Sequence, residues 1–93
     1  MNLYLISQHK NEGYDTYSDA VVVAPDAETA KRIYPMAELG CDGVGKFIDD
    51  PKNKDSVNDY WVDSIEHVSA SLIGTAAEGY NEIQVICASF HAG

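Results

Sequence analysis

The stretch Gly40-Cys41-Asp42-Gly43-Val44-Gly45-Lys46 has the Gly-x-x-x-x-Gly-Lys spacing of a loop that wraps phosphate in backbone N–H groups and reaches it with a lysine. Three departures argue against that chemistry. Phe47 stands where a Ser or Thr must hold magnesium, no strand feeds the loop, and Asp42 sets negative charge against the phosphate. The segment therefore reads as a glycine-bearing turn. Asp49, Asp50, Asn53 and Asp55 offer the hard oxygens that calcium prefers, but their spacing is not that of a calcium loop, its glycine is missing, and Lys52 and Lys54 lie among them. They read as a solvated loop. His9, His67 and His91 are too scattered to ligate one metal, and none neighbours a Ser or Cys in a nucleophile motif. Cys41 and Cys87 are far apart and belong to no Cys-x-x-Cys pair, so they read as buried thiols in a reducing compartment. No catalytic residue, metal or cofactor is expected, and binding is favoured over catalysis.

Two other groups of residues suit recognition. Asp55, Asp59, Asp63 and Glu66 surround Tyr60, Trp61 and Val62, and the first three acids would line one face if the stretch were helical. Aromatic side chains are enriched at binding hot spots and acids steer association, so Asp55, Asp59, Tyr60, Trp61, Asp63 and Glu66 form a candidate contact patch for a basic partner. The competing expectation is that Trp61 and Val62 plug an open sheet face while the acids stay in water. Tyr14, Tyr17 and His91 form a candidate small-ligand pocket.

The elements that must position these groups follow from the apolar pattern. Asn2 to Gln8 reads as a first strand, and His9 to Ser18, with Asn11, Gly13, Asp15 and Ser18, as a loop holding the exposed or half-exposed rings of Tyr14 and Tyr17. Asp19 to Ala24 carries the valine run 21–23 and is stopped by Pro25, which predicts a second strand. Asp26 then supplies a helix cap, and Ala27, Ala30, Ile33 and Tyr34 recur on one helical face, with Tyr34 as the last helical residue before Pro35. Residues 35–63 are irregular, with a short helical turn expected around Met36 to Leu39, and long irregular stretches of this kind tend to be functional or mobile. Within Ile65 to Gly74, Val68, Ala70 and Leu72 alternate onto one face of a third strand, and Ala76 to Asn81 is expected to make a hairpin to a fourth over Glu82 to Phe90. That last strand sends Ile83, Val85 and Cys87 to one face and Gln84, Ile86, Ala88 and Phe90 to the other. It should be central, or else meet another chain.

The expected fold is thus a single α+β domain over residues 1–93, with a four-stranded, largely antiparallel sheet in the order strand, strand, helix, strand, strand. One principal helix lies on one face. The middle segment with Trp61, or a second protomer, is needed to cover the other face. Composition supports a folded chain: 45% of residues are hydrophobic and 23% charged, with six Tyr, two Phe and one Trp. Fifteen acids against six bases give a formal charge of −9, which disfavours direct contact with nucleic acid or anionic membranes. No stretch approaches the ~20 apolar residues of a membrane span, and the N-terminus lacks a basic region followed by an apolar core, so a cytoplasmic location is expected.

The segments Met-Asn-Leu-Tyr-Leu-Ile-Ser-Gln, Gly13-Tyr14-Asp15-Thr16-Tyr17, Ala-Val-Val-Val-Ala, Glu28-Thr29-Ala30-Lys31-Arg32-Ile33, the lone Trp61, Ile73-Gly74-Thr75-Ala76 and the terminal Ala-Ser-Phe-His-Ala-Gly resemble small uncharacterised proteins of bacteriophages and prophages. The layout and acidity are also similar in type to some phage anti-CRISPR proteins, without a shared motif. The resemblance implies an inhibitor or adaptor acting on a host nucleic-acid-handling protein, defence complexes included, in the host cytoplasm. The alternatives are a small-ligand binder or enzyme, and a homodimeric or larger structural protein.

Overall fold

The valine run lies in the longest strand among the described residues, β2 (Thr16–Ala24), where three consecutive β-branched side chains suit a pleated sheet better than a helix. β2 pairs antiparallel with β1 (Asn2–Ser7), from Asn2↔Ala24 to Ser7↔Asp19. The computed structural model describes residues 1–13, 15–36 and 43–91, with Phe90 and His91 by backbone alone. The connection between β1 and β2 is closed by Gln8, a buried side chain whose Nε2 donates to the carbonyls of Asn11 (2.7 Å) and Tyr17 (2.9 Å) while its Oε1 accepts from the Asn11 N–H (2.8 Å). The loop is shorter than expected. β2 begins at Thr16, so Tyr17 is a strand residue, and it is buried rather than exposed. A bulge explains the burial: the pairs Tyr17↔Phe90 and Asp19↔Ser89 leave Ser18 as an extra residue, which turns Tyr17 to the same side as Ala20 and Val22.

β3 (Ser69–Thr75) pairs with the free edge of β1 and β4 (Gln84–His91) with the free edge of β2, giving a four-stranded antiparallel sheet in the order β3-β1-β2-β4. The expected hairpin between the last two strands is therefore replaced by a crossing. Residues 76–83 run over the end of the sheet from one edge to the other, a span of about 14 Å for three strand spacings, which eight residues reach easily. The Ala76 N–H anchors the crossing on the Met1 carbonyl at 3.1 Å. β4 is an edge strand, not a central one. Its faces also differ from simple alternation, because Val22↔Val85 and Val21↔Cys87 leave Ile86 as an extra residue. Val85 and Ala88 consequently share the core side, and Cys87 stands on the opposite side, exposed rather than buried. A third bulge, at Ile73, interrupts the pairing of β3 with β1.

α1 (Ala27–Arg32) starts as expected. Asp26 takes an extended conformation and its carboxylate accepts the Thr29 N–H at 2.7 Å; Glu28 lies in the first turn, with Lys31 and Arg32 in the last. It ends earlier than expected. Ile33 is extended, Tyr34 N–H donates to the Lys46 carbonyl (2.8 Å) and Ile48 N–H to the Arg32 carbonyl (2.7 Å), so backbone pairing with 46–48 replaces the last helical turn. Ala30, Ile33 and Tyr34 are nonetheless fully buried, although only Ala30 of the three is helical, so the expected burial holds without the helical face that was to carry it. Of the turn expected at Met36 to Leu39, only Met36 lies within the described residues, in a 3₁₀ turn with Pro35.

α1, a 3₁₀ turn at Pro51–Asn53, the single-turn α2 (Val57–Tyr60) and a 3₁₀ turn at Ile65–His67 accompany the sheet. Trp61 and Val57 share one cluster with Tyr4, Ile6, Ala20, Val22, Ala30 and Ile33, so the middle segment packs on the same sheet face as the helix. It does not cover the second face. Leu3, Leu5, Val21 and Val23 point there, outside that cluster; Leu5 is exposed, Leu3 and Val21 are half-buried, and Val23 alone is fully buried.

Candidate functional site: an acidic cleft beside the helix

Residues 45–53 of the middle segment are clipped together by one side chain. Asn53 is fully buried; its Oδ1 accepts the Gly45 N–H at 2.9 Å, and its Nδ2 donates to the Gly45 carbonyl at 3.1 Å and to the Phe47 carbonyl. Asp50 caps the adjoining turn by accepting the Lys52 N–H at 2.9 Å. This clip fixes the 45–48 arm against Ile33 and brings Asp49 to the end of α1. There Arg32 Nη2 donates to both carboxylate oxygens of Asp49, at 3.2 and 3.3 Å, and the guanidinium lies 4.4 Å from the centre of the Phe47 ring.

On the other side, Asn58 Nδ2 donates to Asp63 Oδ2 at 3.3 Å and Ser64 Oγ accepts the Glu66 N–H at 3.3 Å, which orders the chain around Asp63. Asn11 Nδ2 donates to the carbonyls of Asn58 (2.6 Å) and Trp61 (3.1 Å), tying this corner to the loop before β2. Between the two sides opens a cleft of ≈ 280 Å³ lined by Arg32, Ile48, Asp49, Asp63, Ser64 and Ile65. It combines apolar walls with two aspartates of which one, Asp49, already holds a guanidinium.

The structure divides the expected contact patch. Asp55, Asp59, Asp63 and Glu66 are exposed and Tyr60 is half-buried, but only residues 57–60 are helical, so the acids do not form one continuous helical stripe. Asp63 alone of the six lines the cleft. Trp61, expected among the contact aromatics, is fully buried in the core and supports the patch from beneath, its Nε1 without a hydrogen-bond partner among the described residues. Arg32, Ile48, Asp49 and Ile65 were missed as site residues. Only their tertiary pairing identifies them, since Arg32 and Asp49 lie seventeen positions apart.

The other candidates resolve differently. Tyr17 is buried in the core, which removes it from any pocket wall, while Tyr14 and the His91 side chain lie outside the described residues. Residues 40–42 of the glycine-bearing turn also lie outside them. Within the remainder, the Gly45 N–H that would face a phosphate is taken by Asn53. Asp49, Asp50 and Asn53 each serve a separate partner, so their oxygens diverge; no group of three His, Cys, Asp or Glu among the described residues is placed to hold a metal. His9 pairs with Glu12 at 3.2 Å in the open. No helix among the described residues is long and apolar enough to cross a membrane. Comparison with protein-family models, with curated proteins and with solved structures finds no match to this chain.

Proposed function

We propose that the chain is a non-enzymatic, acidic protein-binding module that docks on a basic surface of a host nucleic-acid-handling protein, as an inhibitor or adaptor of the phage type acting in the host cytoplasm. The observation that supports this reading is the cleft. Its Ile48 and Ile65 walls suit the aliphatic stem of an arginine or lysine, and Asp49 and Asp63 offer carboxylates to the charged head. Arg32 already occupies Asp49 in this way, and Asp63 offers an incoming arginine a carboxylate that holds no cation and only the Asn58 amide. Around it, exposed Asp55, Asp59 and Glu66 and the charge of −9 speed encounter with a basic surface and repel nucleic acid from it.

Affinity capture from host lysate tests the proposal, with the captured protein identified by mass spectrometry and challenged with DNA, RNA and added salt. The expected partner binds nucleic acid, is displaced by it, and is lost with Asp63→Lys and weakened by Asp55→Lys/Asp59→Lys. Recovery unchanged by both variants sinks the assignment.

A further inference from the structure

The sheet has a second face, and its composition differs from the rest of the molecule. The registers place Leu3 and Leu5 of β1, Val21 and Val23 of β2, Gly74 and Ser71 of β3, and Gln84 and Cys87 of β4 on it, side by side at one end. At the other end stand Ser7, Asp19, Ser69 and Ser89. Leu5 is 38% exposed, and the exposed bulge residues Ile73 (52%) and Ile86 (39%) stand at the two edges. Asp19 is the one charged residue that the registers put on this face, in a chain with fifteen acids and six bases.

We infer that this face binds a second copy of the chain, sheet against sheet, about a two-fold axis parallel to the strands. Charge is the first argument. A cationic partner gains little from a face whose one charge is Asp19, at the serine end of the inner strand β2, whereas two such faces match each other and keep the other described acids out of the contact. Pattern is the second. Rotation about an axis along the strands, between β1 and β2, keeps the level along each strand, so the apolar end meets the apolar end and the serine end meets the serine end. Leu5 then faces the half-buried Val21 of the second copy, while Val23, already fully buried within its own chain, adds no contact. An axis across the strands would set the apolar end against the serines and Asp19. Area is the third. Four strands at ~4.8 Å and six residues at ~3.3 Å give a footprint of roughly 400 Å² per copy, and side-chain relief brings the pair to the order of 1,000 Å² buried. That is the lower limit for a specific interface, which sets the expectation of a micromolar dimer. The helix side, with its acidic cleft, stays open in this arrangement, so the inference does not depend on the proposed function.

Sedimentation over about 1 to 300 μM protein reads the association directly. The mass should rise from 10.1 kDa toward twice that value, and further at high salt, which screens the repulsion between two acidic chains. Leu5→Glu and Cys87→Glu, both at exposed positions, should weaken the dimer at least ~10-fold, with an unchanged thermal midpoint at the low concentrations where the chain is monomeric, because each sets an unpaired carboxylate in the interface. Ser71 and Cys87 share one level at opposite edges of the sheet, through Leu5↔Ser71, Leu5↔Val21 and Val21↔Cys87, so the axis puts Ser71 of one copy over Cys87 of the other. A Ser71→Cys variant in a Cys41→Ser background should therefore give covalent dimers joined 71 to 87 with a short bis-maleimide. A monomer at the highest concentration, or a dimer indifferent to both Glu variants, overturns the inference; links from 87 to 87 alone overturn the axis.

Discussion

Replacing Asn53 by alanine removes three hydrogen bonds from a fully buried side chain and leaves the Gly45 N–H and carbonyl without the amide, while the Phe47 carbonyl keeps the Asp50 N–H. At about 1 kcal/mol for each, the loss is roughly 3 kcal/mol, at the lower end of what unsatisfied buried groups cost. Against a total stability of about 5 to 14 kcal/mol for a domain of this length, that is a large share. With an unfolding entropy of about 2 cal/mol/K per residue, close to 0.2 kcal/mol/K for the chain, the thermal midpoint should fall by roughly 15 °C. Trp61 is the only tryptophan and is fully buried, so its fluorescence reports unfolding without a label. Asn53→Asp retains the acceptor for Gly45 but loses both donated bonds and buries a charge, and should be at least as damaging. A drop of less than about 4 °C for Asn53→Ala, equivalent to under about 1 kcal/mol, would refute the claim that this clip holds the arm carrying Asp49.

Gly45→Ala places a methyl group against the Asp50 side chain, its Cβ included, so the backbone must shift and with it the cap on the Lys52 N–H; a loss of about 1 to 3 kcal/mol in urea unfolding is expected. Asp50→Gly should relieve part of that loss, and a strictly additive double variant would show that the two positions do not collide. Asp26 accepts the Thr29 N–H, and that backbone hydrogen bond, followed by the one to its side chain, holds the carboxyl below its ordinary value of 3.8. Because the folded-state value is depressed, the cap contributes above the ordinary carboxylate range and is lost as pH falls through the lowered value. A side-chain carboxyl titration by NMR should give a midpoint under 3.8, and one at or above it removes the cap from the account.

The local parts of the fold were legible because local chemistry dictates them. The valine run favours a strand, and Pro25-Asp26 ahead of Ala27 and Ala30 specifies where a helix begins, with Ala30 on its buried side. Strand order was not legible, since β3 and β4 each join an edge of the central pair whose availability no short segment records. Alternation failed at single residues. The extra positions Ser18 and Ile86 invert which side chains face inward, placing Tyr17 in the core and Cys87 in solvent. The polar run around Asn53 looked solvated because each residue in it favours water; the inward turn of one amide is a tertiary event. Trp61 answered to both of its expected roles in composition, and burial selects the packing one.

The bulges also govern how the sheet ends. Each outer strand carries one, at Ile73 on β3 and Ile86 on β4, and each breaks the even spacing of N–H and C=O groups along a strand whose other side is free. A further strand laid along such an edge meets donors and acceptors that drift out of step within a few residues. Lateral growth into a fibre therefore stalls at both margins, although the sheet is small and its valine-rich centre strongly favours extended chain.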